Sequence, residues 1–309
     1  MLKELFSKSR PIGYVVISVG LLVAYSIFLF ADSGWLQNPS EIVTKSLLFI
    51  TMVATVLLVQ FTSIKNQLNS NSLYSFFFYS CFILLFPSYL ENSNIIMSNF
   101  FVLLGVNRLF AMFSLENIKQ KIFDAGMFFV CASLFDPWAI LYFLLIYFSI
   151  LQYGSSDYRN WLIPFVSVGV SCVLIYSFFL IENGSFLSFF EDKFMTSFNF
   201  QYFENDYQRL ALSIFASASC LFFINQVRIL KDLPMHLTSH YKKLLFCFII
   251  GVLVYIVQSP KVNASLSYTF FPLSIAAGNL VLYLQTKWMK EVVLWATLAI
   301  GTIFFLLNL

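Results

Sequence analysis

Apolar runs about as long as a bilayer crossing recur from one end of this 309-residue chain to the other, and no other feature constrains its fold as strongly. A helix needs roughly 20 apolar residues to cross about 30 Å of hydrocarbon. Runs of that order lie at about 11–31, 43–62, 72–90, 95–113, 122–135, 137–153, 161–181, 209–226, 243–258, 265–284 and 291–308. Little chain is left over for a soluble part. The expected fold is therefore all-α: a polytopic transmembrane helix bundle of about eleven spans, forming a single integral membrane domain over residues 1–309. Composition excludes a water-soluble globule, since only 11% of the residues are charged, against about a quarter in soluble domains. The 39 phenylalanines suit a lipid-facing surface and would be an aggregation hazard on an aqueous one.

The stretch 122–153 is one apolar run interrupted only by Asp136 and Pro137. A charge followed by proline disfavours continuing helix, so the run is read as a tight hairpin with its turn at or just inside one membrane face. The first run follows a basic start but is too long for a signal peptide and lacks a small-x-small cleavage site, so an uncleaved first span is expected. Basic residues stay on the cytoplasmic side of a membrane. With the amino terminus inside, only Lys45, Lys193, Arg209 and Lys261 of the 18 basic residues fall outside. This sets the expected orientation, with the amino terminus cytoplasmic and the carboxyl terminus on the outer side.

Five cysteines stand singly inside apolar runs with no C-x-x-C pair, which suggests neither a disulfide framework nor a zinc site. His236 and His240 in HLTSH have the helical i, i+4 spacing but lack the glutamate of a zincin. They read as interfacial polar residues in an inner loop between Asn225 and Lys243. There Arg228, Lys231, Lys242 and Lys243 are the candidate contacts to anionic lipid headgroups. The one long outer loop, 182–208, alternates aromatics and charges as an interfacial amphipathic helix does. Glu191, Asp192, Tyr202, Asp206 and Arg209 make it the candidate loop for a substrate or partner, or else a capping segment with no ligand. Arg108, Asp124 and Lys45 fall near span ends, and the span centres hold no charge, which counts against proton-coupled transport. Small residues such as Gly105, Gly126, Gly169 and Gly251 are expected where helices pack closely.

Two carboxylates remain as candidates for chemistry. Asp136, beside Pro137 and Trp138, is partly desolvated at the hairpin mouth and needs a partner or a cation. Asp before Pro is also a favoured helix start, and the two roles are compatible. Asp32 directly follows the first span in FADSGWLQNPSE. It is either a turn residue or the acid or base of a membrane enzyme.

The acid opening the first outer loop, together with AGMFFVCASLFDPWAILYFLLIYFSILQYGSSDYRNWLIPF, resembles a recurrent block of the GT-C superfamily of polyprenyl-phosphate-dependent membrane glycosyltransferases. The resemblance implies a GT-C-like bundle of about eleven to thirteen spans and a catalytic role for Asp32 and Asp136. Two positions depart from that pattern: Asp136 stands where the family's motif usually has Lys or Arg, and the first outer loop is short. From SKSRPIGY to FFPLSIAAGN the chain also resembles an uncharacterised family of Bacteroidota inner-membrane proteins, which implies a multi-pass protein of a bacterial inner (cytoplasmic) membrane whose outer, carboxyl-terminal side is periplasmic. The departures favour a non-catalytic subunit or scaffold of a cell-envelope complex over an extracytoplasmic glycosyltransferase, and a transporter ranks behind both. Expected partners are membrane lipids, proteins of that complex and a polyprenyl-phosphate lipid. No nucleic acid, metal or cofactor is expected.

Overall fold

The structure, a computed structural model, describes residues 2–31, 38–155, 157–181, 206–259 and 261–308, with the side chains of Met235 and His236 excepted. Among these residues it is all-helical. A short α1 (Leu2–Phe6) leads into α2 (Pro11–Ala31) and α3 (Pro39–Lys65), and then α4 (Tyr74–Leu85) and α5 (Ser88–Glu91). Next come α6 (Ser93–Phe110), α7 (Ile118–Phe135), α8 (Phe143–Tyr153) and α9 (Arg159–Ile181). The chain ends with α10 (Asp206–Ile229), α11 (Met235–Val257), α12 (Ser267–Tyr283) and α13 (Lys287–Leu307). Each of the eleven apolar runs is met by helix, and among the described residues eight helices are long and apolar enough to cross a membrane. The supposed inner loop of 225–243 is mostly helix, because α10 continues to Ile229 and α11 begins at Met235.

The helices sort by polarity in the direction that lipid demands. The most apolar helices include α2, which lies mostly exposed, while the least apolar of the eight candidate spans, 263–283, is almost wholly buried. A side chain facing hydrocarbon must be apolar, whereas hydroxyls and amides must find partners inside the protein. So α12, rich in Ser, Tyr, Thr and Asn, lies at the centre; α4, an aromatic-rich helix that carries Tyr74, Ser75, Tyr79 and Ser80, is buried beside it, and α2, α9 and α13 form the rim. The same rule places the backbone breaks. The helices stop at Phe86–Pro87 and at Asp136–Pro137, where Phe86 and Asp136 are buried in protein rather than facing lipid.

Phe270 on α12 is the hub of the centre. Its ring meets those of Tyr79, Phe82, Phe86, Tyr89 and Phe215 at centroid distances of 5.9, 5.7, 6.0, 6.3 and 5.7 Å. Helix association in lipid lacks a hydrophobic drive, so this packing, at about 0.5–1.5 kcal/mol per aromatic pair, holds α4, α5, α10 and α12 together.

Contacts between the ends of the long helices gather at two faces. At one face the Tyr241 hydroxyl donates to the carbonyl of Leu68 (2.8 Å) and the Asn279 amide to Gln226 (3.3 Å). Beside them Arg108 and Asp124 join α6 to α7 at 3.5 Å. At the other face lie Ser98, Asp136 and Tyr268.

Candidate functional site

Local sequence builds the turn at Asp136. Pro137 cannot continue α7, and its fixed φ suits the start of the 3-10 segment Pro137–Tyr142. Asp136 caps that segment, its Oδ1 accepting from the backbone N–H of Trp138 at 3.2 Å. Its other oxygen, Oδ2, lies 2.7 Å from the hydroxyl of Tyr268, the second residue of α12. That hydroxyl is also 2.8 Å from Oγ of Ser98, near the start of α6. A phenol has one proton, and the carboxylate is the stronger acceptor, so Ser98 donates to Tyr268 and Tyr268 donates to Asp136.

The Tyr142 hydroxyl donates to the Tyr268 carbonyl at 3.1 Å, and the Asn99 amide donates to Tyr79 at 2.7 Å. These contacts bind the turn and the 3-10 segment to α12, and α6 to both α12 and α4, with every side chain buried. Burial pushes the Asp136 carboxyl above the usual carboxylate range, and the bonds from Tyr268 and Trp138 pull it back.

Chemically this is a clamp. Both carboxylate oxygens have fixed donors, and Asp136 itself is 3% exposed. Among the described residues no group of three His, Cys, Asp or Glu could hold a metal. Of the other expected site residues, Asp32, Glu191, Asp192 and Tyr202 lie outside the described residues. Asp206 and Arg209 form an exposed ion pair of 3.5 Å at the start of α10, a type that contributes little energy.

Arg228, Lys231 and Lys242 are exposed near the face where Tyr241 sits. Lys243 departs from the headgroup expectation. It is fully buried and donates to the Leu109 carbonyl at 2.7 Å, with its ammonium 4.4 Å from the Tyr153 ring centroid and 5.4 Å from that of Phe110. The last turn of α6 presents the negative end of its dipole there, which accounts for a cation without a carboxylate. His240 is buried on the same stripe rather than interfacial, stacked on Phe110 with centroids 5.6 Å apart. Exchanging a buried ion for an apolar side chain of similar volume is commonly neutral. Lys243→Met is therefore expected to change stability, read from thermal unfolding in detergent, by no more than about 1 kcal/mol, while Lys243→Glu costs about 3–5 kcal/mol by facing a carbonyl with an unpaired anion.

Sequence reasoning missed Ser98, Asn99, Tyr79, Tyr142 and Tyr268. The available signal was SYTFFPLS at the head of α12 and the SN pair at Ser98–Asn99: clustered hydroxyls and amides that lipid-facing helices do not tolerate.

All-helical among its described residues, with buried polar groups and apolar rim helices long enough to cross a bilayer, the chain is a multi-pass membrane protein. It belongs to a family of unknown function, DUF6427, which matches residues 1–309. No curated protein and no solved structure matches the chain.

Proposed function

We propose that the protein is a non-catalytic helical subunit of a cell-envelope complex in a bacterial inner membrane. In this reading the chain makes eleven crossings, with its amino terminus cytoplasmic and its carboxyl terminus periplasmic. Its central helices are a fixed core, and its exposed rim helices α2 and α9 are the faces that other membrane proteins contact. The observation that carries the reading is the state of Asp136. A general acid or base must reach a substrate atom with an uncommitted oxygen. Here one oxygen is held by Tyr268 and the other by the Trp138 N–H, in a buried turn.

Asp136→Asn keeps the shape and one acceptor, so cells carrying it at normal protein level are expected to show no loss of envelope function. Asp32→Asn is expected to behave the same way. Loss of function with either variant at wild-type abundance would favour a polyprenyl-phosphate-dependent transferase on the extracytoplasmic face. Purification in mild detergent separates the two independently. A stoichiometric protein partner supports the subunit, and a retained polyprenyl phosphate overturns it.

A further inference from the structure

A groove of about 430 Å³ runs between α2, α4 and α13. Its lining includes the buried Ile17, Phe77, Cys81 and Phe305, with Leu298 and the exposed Gly20. Two hydroxyls reach it, and both donate back to their own helices: Ser80 to the Phe76 carbonyl at 2.9 Å and Thr302 to that of Leu298 at 3.0 Å. The lining is thus apolar in effect, and it is within the size range of small-molecule sites, about 300–1,000 Å³.

Length and charge identify the occupant. The groove follows α2 from Val16 to Ile27, a rise of about 16 Å at helical pitch. That is about one leaflet of a hydrocarbon core roughly 30 Å thick, whereas a partner helix would need the full depth. One end is closed by Leu2 and Phe6 of α1, which packs on α13. The segments that meet there, 2–10 and 287–291, carry five basic residues, Lys3, Lys8, Arg10, Lys287 and Lys290, against Glu4 and Glu291. Lys3 and Lys290 are close enough for their charges to act on each other, and Glu291 lies beside Lys3. At that closed end, beyond the lining itself, the Lys290 Nζ donates to the Leu282 carbonyl at 3.1 Å, and the mutual repulsion of the two ammoniums is relieved by an anion.

We propose that the groove between α2, α4 and α13 holds one acyl chain of an anionic phospholipid, whose headgroup sits over Lys3 and Lys290. Lipid tails are as apolar as this lining, so burial alone selects nothing. Selectivity comes from the headgroup, at about fivefold in affinity for each basic residue near the surface. This inference stands apart from the subunit reading, because an enzyme could carry the same site.

Gly20 supplies the test. A side chain added there meets nothing within 4 Å, so Gly20→Phe fills the groove without disturbing a helix contact. Full-length protein in detergent is titrated with phosphatidylglycerol and with phosphatidylethanolamine of matched chains, and bound lipid is read by native mass spectrometry. The wild type is expected to prefer phosphatidylglycerol. Gly20→Phe removes the adduct at an unchanged thermal midpoint, and Val16→Trp at the groove rim does the same. Lys3→Gln and Lys290→Gln each weaken phosphatidylglycerol about fivefold and leave phosphatidylethanolamine alone. Equal binding of the two lipids, or an adduct indifferent to Gly20→Phe and Val16→Trp, overturns the proposal. So does a stoichiometric membrane polypeptide that Gly20→Phe displaces.

Discussion

Replacing Tyr268 by phenylalanine is expected to destabilise the protein by about 3 kcal/mol, more than an ordinary hydrogen bond contributes, because it strands a buried carboxylate. Asp136 then keeps only the Trp138 N–H. With Asp136→Asn already present, the same change is expected to cost about 1 kcal/mol, since no charge is left to strand. The defect also carries a pH signature. A carboxyl whose folded value lies above its unfolded value, near 3.9, adds stability below that unfolded value. That contribution is lost as pH rises through the folded value. Asp136 is such a group, and the Tyr268 bond restrains its rise. Tyr268→Phe removes the restraint, so the folded value climbs and the loss extends to higher pH. Thermal midpoints in detergent should therefore show a small deficit in mild acid and the full deficit near neutrality. In the Asp136→Asn background the deficit should not change with pH. An equal deficit at both pH values would contradict a charged Asp136.

The features legible in the sequence are those that depend on short stretches of chain. Every apolar run became helix, and the Asp136–Pro137 pair marked both the break in 122–153 and the cap of the segment after it. What was not legible depends on which helix ends up in the middle. Ser98, Tyr79 and Tyr268 sit in separate helices, and their meeting is fixed by packing around α12. Lys242 and Lys243 look alike as a pair of neighbours. Only the stripe of buried positions on α11, at His240, Leu244, Cys247, Gly251 and Val254, shows that Lys243 faces inward. That stripe is itself periodic, so the spacing on α11 points Lys243 inward while its charge points it outward. The expectation for glycine was met unevenly, since Gly105 and Gly251 sit against other helices and Gly169 faces open space.

That unevenness carries the second large effect. Valine at Gly251 is expected to cost about 3 kcal/mol, at the upper end of overpacking changes, while valine at Gly169 stays within about 0.5 kcal/mol. A Cβ on Gly251 would lie 3.0 Å from the carbonyl carbon and oxygen of Tyr268 and 3.0 Å from the Thr269 methyl. The obstacle is largely backbone, which cannot swing aside as a side chain end does, so α11 and α12 must separate. The same Tyr268 carbonyl accepts from Tyr142, and its side chain holds Asp136. The intrusion should therefore loosen the clamp as well as the helix pair. Gly251→Val and Tyr268→Phe are then expected to combine to less than the total of their separate costs, because the second change removes a bond the first has already weakened. Gly169 has nothing within 4 Å of its added Cβ, so in detergent Gly169→Val should leave the thermal midpoint where it was. Should Gly169→Val nonetheless abolish the protein's function in cells at normal abundance and stability, the rim of α9 is a docking face, as the proposed subunit role requires.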